Sequence, residues 1–268
     1  MSTALSRPAL ASAFLDVGQG LLQVRIWHML AWQEIQQRYR RSILGPFWLT
    51  ISTGCMVAGM GPLYSKLLNQ PLGIFFTYIA VGFVLWQLIA GLISDCCQSF
   101  ISAESYISQM KLPLTLHVVR VVWRNTLMFA HNSVIVFAVL VFSPPPFDSS
   151  LLTSIAGVVV LLFNALWVGL VMGMLSARFR DIPQFVNSIL QVGLFLTPIL
   201  WKIEMLGDWR WFALINPIYH FMEVIRSPLM GAGISGQSWA VVGVITLLGW
   251  TVTMYAFAKF RARIPFWI

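Results

Sequence analysis

Arg38-Tyr39-Arg40-Arg41-Ser42-Ile43-Leu44-Gly45-Pro46-Phe47-Trp48 decides the fold of this chain. A tight basic cluster passes through a Leu-Gly-Pro turn straight into the first long apolar segment. Cations at the foot of a membrane span resist translocation and favour the anionic cytoplasmic leaflet, so they fix the direction of the span. The stretch therefore predicts an integral membrane protein whose residues 1–45 stay inside as a cytoplasmic segment. Residues 46–268 then form the transmembrane unit.

Working outward, composition agrees. The chain is 58% hydrophobic and 10% charged, with mean hydropathy +0.79, whereas about a quarter of the residues of soluble domains are charged. The net charge of +8 raises nucleic acid as a partner, but the basic residues adjoin apolar spans rather than an aromatic-laced soluble face. Membrane topology accounts for them, and no nucleic-acid partner is expected. Cys96 and Cys97 are neighbours and Cys55 lies within a span, which suggests neither a disulfide framework nor a zinc site. The opening residues lack a continuous apolar core of the kind a signal peptide needs.

Six segments are apolar over roughly the 20 residues a helical crossing takes: Phe47–Leu67, Ile74–Asp95, Val118–Phe142, Leu151–Ala177, Ile182–Leu200 and Trp239–Lys259. Their continuous runs exclude a barrel, whose strands alternate apolar and polar residues. The fold class is all-α, a six-span integral membrane bundle. Of the seventeen Lys and Arg, twelve fall inside if the chain starts inside: Arg7, Arg25, Arg38, Arg40, Arg41, Lys111, Arg120, Arg178, Arg180, Lys259, Arg261 and Arg263. Lys66, Lys202, Arg210 and Arg226 fall outside, and Arg124 lies within the third span. That asymmetry predicts two cytoplasmic termini, with Trp201, Trp209, Trp211 and Trp239 at the outer interface.

Before the first span, Leu22, Ile26, Leu30 and Ile35 recur at near-helical spacing opposite Gln33, Glu34, Gln36 and Gln37. This predicts an amphipathic interfacial helix, or else a cytoplasmic helix packed on protein. The inner connection Phe100–Leu116 is polar, long for a turn and broken by Pro113, so it offers a short helix to a cytoplasmic partner. In the outer connection, Asn216-Pro217 is a capping residue followed by proline at the first helical position. Ile218, Phe221, Met222 and Ile225 follow as one stripe that Pro228 closes, predicting a helix re-entrant or flat against the outer face. Ser143-Pro144-Pro145-Pro146 reads as a rigid outer turn.

No zinc-protease, nucleophile-elbow or paired-carboxylate pattern is present, and no lysine follows a glycine, so the phosphate-cradling loop of ATPases is absent from the sequence. The chain is expected to be no enzyme and to hold no cofactor; any ATP and its Mg belong to another chain. Within the third span His117, Arg120, Arg124 and His131 share one helical face. Two readings stand: a basic ladder for an anionic headgroup or phosphate, or arginines that snorkel or pair with Asp95 or Glu104. Gly169, Gly173 and Ala177 repeat a small residue every fourth position, a pattern for close packing within the subunit or, alternatively, for a special helix interface. Tyr78, Trp86, Trp167 and Phe195 are candidates for stacking on sugar rings in a channel, with core or lipid packing as the alternative.

Several ordered motifs together resemble the membrane subunit of polysaccharide-exporting ABC transporters, the group that handles lipopolysaccharide O-antigen, capsular polysaccharide and wall teichoic acid. They are RYRRSILGPFW, SAESYISQMKLPL, RFRDIPQFVNSILQVGLFLTPILW and NPIYHFMEVIRSPLMG, covering most of the chain from about Ile26. The resemblance implies a homodimer in a bacterial inner membrane, bound to two copies of a cytoplasmic ATPase and passing a lipid-linked polysaccharide along the dimer axis. It implies an entrance turn at Leu44 and Gly45 and an ATPase-coupling helix around Glu104, Ser105, Tyr106 and Lys111. The outer gate would lie at Asn216, Pro217, Tyr219 and His220. The carrier phosphate would meet Arg38, Arg40, Arg41, Arg120, Arg124 and His131. An exporter of drugs or lipids is the nearer rival, and a membrane-bound glycan-processing enzyme the remoter one. A secondary transporter would show inverted repeats or buried coupling acids.

Overall fold

The computed structural model describes residues 7–45, 47–142, 144 and 150–268. The proline-rich outer turn lies outside these residues but for Pro144, as does Pro46 of the Leu-Gly-Pro turn. Among the described residues the chain is helical and has no strand. Two N-terminal helices, α1 (Arg7–Leu22) and α2 (Val24–Arg38), precede the long helices α3 (Phe47–Leu67) and α4 (Leu72–Cys97). The short α5 (Glu104–Gln109) follows, then α6 (Leu114–Phe142), α7 (Leu151–Arg178) and α8 (Ile182–Leu196). The C-terminal third comprises α9 (Arg210–Ile215), α10 (Pro217–Leu229) and α11 (Gly236–Phe260).

Four helices are long and apolar enough to cross a bilayer: α4, α6, α7, and α11 with its 3-10 extension to Phe266. Two of the six expected spans fall short of that measure of length and hydropathy. Helix α3 is 21 residues long but diluted by Thr50, Ser52, Thr53, Ser65 and Lys66. The expected fifth span stops early: α8 is 15 residues, a rise of about 22 Å against the ~30 Å of a hydrocarbon core. Thr197-Pro198 ends it in extended backbone, because proline disfavours helix in the residue before it and brings no N–H of its own.

Helix α4 is the hub. Apart from a polar line that includes Gln87 and Asp95 it is apolar, and it packs against α3, α6, α7, α8 and α10, burying Phe75, Ile79, Val81, Leu85, Leu88 and Leu92. The small residues of α7 work as their spacing predicts. A Cβ on Gly169 would lie 2.4 Å from Val118, and one on Gly173 2.6 Å from Ser99 Oγ, so these glycines seat α7 directly on α6 and on the chain leaving α4.

The N-terminal segment differs from expectation. Instead of one helix through Leu22 and Ile35 there are two, broken at Gln23; Leu22 ends α1 fully in the open, while Leu30, Ala31 and Ile35 are buried against α6. Leu30 and Ile35 of the stripe thus pack on protein, while Met29 and Trp32 form an exposed face. Helix α1 is pinned by Asp16, whose carboxylate accepts from the backbone N–H of Leu114 (3.2 Å) and from the N–H and hydroxyl of Thr115 (3.0 and 2.8 Å). It caps the first turn of α6 from another part of the chain, satisfying donors that a helix start leaves open.

Candidate functional site

The basic ladder of α6 is an ion-pair network. Glu34 of α2 reaches Arg120 at 3.0 Å and also Arg124. Arg124 donates in addition to Asp95 of α4 (2.8 Å), and Arg120 to Ser102 Oγ (3.1 Å). Arg120 is 2% exposed and Arg124 12%. A guanidinium at this depth must be paired or hydrated, and here both are paired within the chain. Of the two readings, pairing describes the structure, with Glu34 beside Asp95 and without Glu104. Arg120 and Arg124 are therefore withdrawn as open phosphate ligands in this conformation. His131 is turned to its own helix, Nδ1 lying 2.8 Å from the Leu127 carbonyl and its ring edge-on to Phe47 at 5.7 Å. His117 is buried without a hydrogen bond, 6.4 Å from the Tyr106 ring.

Arg38, Arg40 and Arg41 are different. Among the described residues they form no ion pair, and all three are exposed at the α2–α3 junction. Arg41 and Gly45 both take positive φ, +77° and +53°; the Gly45 N–H donates to Ser42 Oγ at 3.0 Å, closing the turn. A residue with a Cβ is strained at such φ, which gives the turn at Gly45 a physical basis.

From Asp95 a polar seam runs outward between α3, α4 and α6. Asn125 donates to Asp95 (2.9 Å). Further along, Gln87 Oε1 accepts from Asn132 (2.8 Å) and from Thr53 (2.9 Å), and Thr50 donates to Asn132 Oδ1 (3.0 Å). A crevice of about 320 Å³ opens on this seam, lined by Arg38, Trp86, Gln87, Asp95, Asn125 and Asn132 with apolar neighbours.

On the other side of α4 stands α8, where only Val186 is buried. Gln184, Asn187, Ser188 and Gln191 are exposed; their 3- and 4-residue spacing makes one face, beside an equally exposed apolar face of Phe185, Ile189, Val192 and Phe195. Asn187 accepts from Ser94 of α4 at 2.7 Å. Amides and hydroxyls presented by a helix in lipid are costly, so such a face meets water or protein. The stripe was visible in the sequence as an interruption of apolar residues, yet the reading of Ile182–Leu200 as a uniform span passed over it.

The four candidate aromatics are not brought together. Phe195 is 63% exposed on α8, and Trp86 lines the crevice while its ring tip faces Gly193 of α8. Tyr78 is buried with its hydroxyl 3.0 Å from the carbonyls of Pro198 and Trp201. Trp167 packs against Gly249 of α11 and donates to Asn164 (2.7 Å). Tyr78 and Trp167 are therefore packing residues here.

The outer segment is built as a locked unit. Asn216 caps α10, accepting from the Ile218 N–H at 3.0 Å and donating to Thr197 at 2.9 Å; Pro217 takes the first helical position. Helix α10 lies between α4, α7 and α11 with Tyr219, His220, Met222 and Ile225 buried, so it does not lie flat on the surface. His220 bridges the Leu214 carbonyl (2.8 Å) and Ser238 (3.1 Å). Arg226, missed as a functional residue because it was counted as an outer topology charge, is 4% exposed. It donates to Glu223 (2.8 Å) and the Pro198 carbonyl (2.6 Å) and lies 4.2 Å from the Tyr78 ring centre.

At the inner end, α5 buries none of its residues; Glu104, Ser105 and Lys111 are exposed and Tyr106 half-buried. Through Ser102 and Tyr106 this segment touches the two α6 residues nearest it, Arg120 and His117. A short exposed helix is thus joined, through the segment that carries it, to the ion-pair network of α6.

The sequence pattern of ABC-2 type transporters matches residues 26–230, most of the chain. The chain belongs to the ABC-2 type transporter family. It is thus a multi-pass membrane subunit of a transporter, of a family that pairs with a cytoplasmic ATPase subunit. Two curated relatives of this ABC-2 chain are both named O-antigen export system permease protein RfbA, from Klebsiella pneumoniae. One is 22% identical over 235 residues, covering 85% of this chain and 88% of the relative. The other is 21% identical over 236 residues, covering 86% and 90%.

Proposed function

We infer that this ABC-2 chain is the membrane subunit of an ATP-driven exporter of a lipid-linked polysaccharide of the O-antigen or capsular kind. The observation that carries this reading is the exposed Gln184–Asn187–Ser188–Gln191 face of α8. Two such faces, brought together by two copies of the chain, wall a hydrated path on the dimer axis. Amides and hydroxyls exchange hydrogen bonds with sugar hydroxyls at little net cost. The O-antigen names of the two relatives support the same substrate class. A path for drugs or lipids would be apolar where this face is polar.

The working unit is a homodimer in the bacterial inner membrane with two ATPase copies, which hold ATP and Mg. The chain passes the bilayer six times, α3 and α8 being shielded from lipid by the partner copy. Residues 1–45 are cytoplasmic, both termini are inside, and 46–268 form the export unit. Exposed α5 receives the ATPase at Glu104, Ser105, Tyr106 and Lys111. Arg38, Arg40 and Arg41 meet the carrier phosphate at the inner leaflet, where fixed guanidinium groups replace water with charge-assisted hydrogen bonds. The locked α9–α10 unit, with Asn216, Pro217, Tyr219 and His220, closes the outer end.

The test is a deletion strain complemented with parent or with Gln184→Leu/Ser188→Leu/Gln191→Leu. Deletion should remove surface glycan and trap lipid-linked glycan inside; the triple variant, at parental membrane abundance, should not restore export. Surface glycan unchanged by the deletion would overturn the reading.

A further inference from the structure

We propose that the crevice between α3, α4 and α6 is a saccharide subsite, distinct from the α8 face, that holds one sugar unit of the glycan by its hydroxyls. This rests on the polysaccharide reading and adds a named place to it.

The argument starts from unspent hydrogen-bonding capacity. Gln87 uses its carbonyl twice, for Thr53 and Asn132, while among the described residues its amide nitrogen donates to nothing. Asn125 uses its amide nitrogen twice, for Asp95 and the Val121 carbonyl, and its Oδ1 accepts from nothing. Asp95 places both of its bonds on Oδ2, leaving Oδ1 without a partner. The neighbouring bonds orient these side chains, so the free donor and acceptors are held in place rather than rotating. None of these three atoms is sealed from the crevice, so each can exchange water for a ligand that both gives and accepts hydrogen bonds.

Charge selects the class. Phosphate is disfavoured deep in the crevice by the Asp95 carboxylate and the Asn125 carbonyl, and a bare cation by Arg124 against Asp95 and by the Gln87 amide N–H. A neutral hydroxyl answers both. Trp86, 7% exposed, lends the wall an apolar edge and shapes it. Gln87 lies about 15 Å up α4 from Cys97, and Arg38 stands on the wall as the one lining residue from the basic α2–α3 junction. The sugar next to the anionic linkage fits this order: charge at the junction, hydroxyls within. Gly91 keeps the passage open, since a Cβ there would lie 2.7 Å from Asn125 Oδ1.

The test uses a diazirine-bearing amino acid placed singly at Gln87, at Gln191 of α8 and at exposed Val244 of α11 in cells making the glycan, with periodate-reactive sugar scored on the irradiated protein. Sugar captured at 87 and 191 but not at 244 is expected. Capture at 191 without 87 overturns the subsite and leaves the export path standing; capture at neither overturns both; phospholipid in place of sugar at 87 overturns the subsite. Should the probe at 87 disturb folding, Gln87→Glu keeps shape and both accepted bonds, replaces the free donor by an acceptor and adds a second carboxylate to the crevice. It should lower export about five-fold, the scale of one lost hydrogen bond, at unchanged abundance, and parental export by that variant overturns the subsite.

Discussion

Replacing Arg124 by Met should destabilise the protein before it touches transport. In the structure Arg124 serves two acids, Glu34 and Asp95, at 12% exposure against 25% and 29% for the partners. Removing one partner of a fully buried pair costs about 3–5 kcal/mol, because a charge is left alone in a poor solvent. Glu34 keeps Arg120, and both acids see some water, which lowers the figure to about 2–3 kcal/mol. For a chain of this size that is a fall of about 5–10 °C in melting temperature. The assay is thermal unfolding of the detergent-solubilised protein for parent, Arg124→Met, Asp95→Leu and the pair. The double variant should melt no lower than Arg124→Met, since the acid it removes is the one stranded by the first change. Arg124→Lys should fall between, keeping charge but losing the planar fork that spans two carboxylates. A melting temperature for Arg124→Met within about 1 °C of parent would refute the ion-pair reading and return Arg124 to the set of open anion ligands.

Arg38→Ala/Arg40→Ala/Arg41→Ala should lower glycan export while leaving abundance and melting temperature unchanged, because these cations have no protein partner among the described residues; a matching loss of stability would show hidden pairing. Gly169→Leu should leave little folded protein in the membrane, as its side chain would overlap Val118 and Cys96, an overpacking cost of about 1–3 kcal/mol or more; normal abundance would refute that contact. Tyr78→Phe removes the hydroxyl that the carbonyls of Pro198 and Trp201 accept from and should cost about 1 kcal/mol in thermal unfolding without lowering export. Reporter fusions at Ile268 and within the outer turn after α6 should report opposite compartments, and one shared compartment would overturn the topology.

What was legible in the sequence was what depends on chain-local chemistry. Asn216-Pro217 starts α10 and Pro228 closes it because capping and proline geometry act within a turn. Gly169 and Gly173 mark a close contact because only a missing side chain permits one. The basic junction before Phe47 was legible for the same reason, since Gly45 needs its positive φ wherever the turn sits. Pairings across the fold were not legible. Glu34 read as part of a solvated polar face of α2, although it is the acid shared by two arginines of α6. Nothing in α2 announces that, because the register of α2 on α6 is set by Leu30, Ala31 and Ile35. Tyr78 and Trp86, eight residues apart on α4, read alike; one is consumed by carbonyls of the 198–201 segment and the other is left beside an open crevice.

That difference between spent and unspent groups sorts the polar residues by role. Arg120, Arg124 and Arg226 are held among the helices, and the terminal guanidinium nitrogens of each meet acids, hydroxyls or carbonyls of the same chain, although Nε of Arg120 and of Arg124 has no partner among the described residues. They brace α2, α4, α6 and α10, and moving any of them breaks several bonds together. Arg38, Arg40 and Arg41, the α8 amides and the inner atoms of Gln87, Asn125 and Asp95 keep capacity the chain does not use. They follow one another from the inner junction along α4 to α8. A polymer of sugars carried on an anionic lipid presents the same sequence of groups, charge first and hydroxyls after. On the proposed polysaccharide reading, each unit is bound weakly through exchangeable hydrogen bonds, so passage depends on many shallow contacts rather than on one tight site.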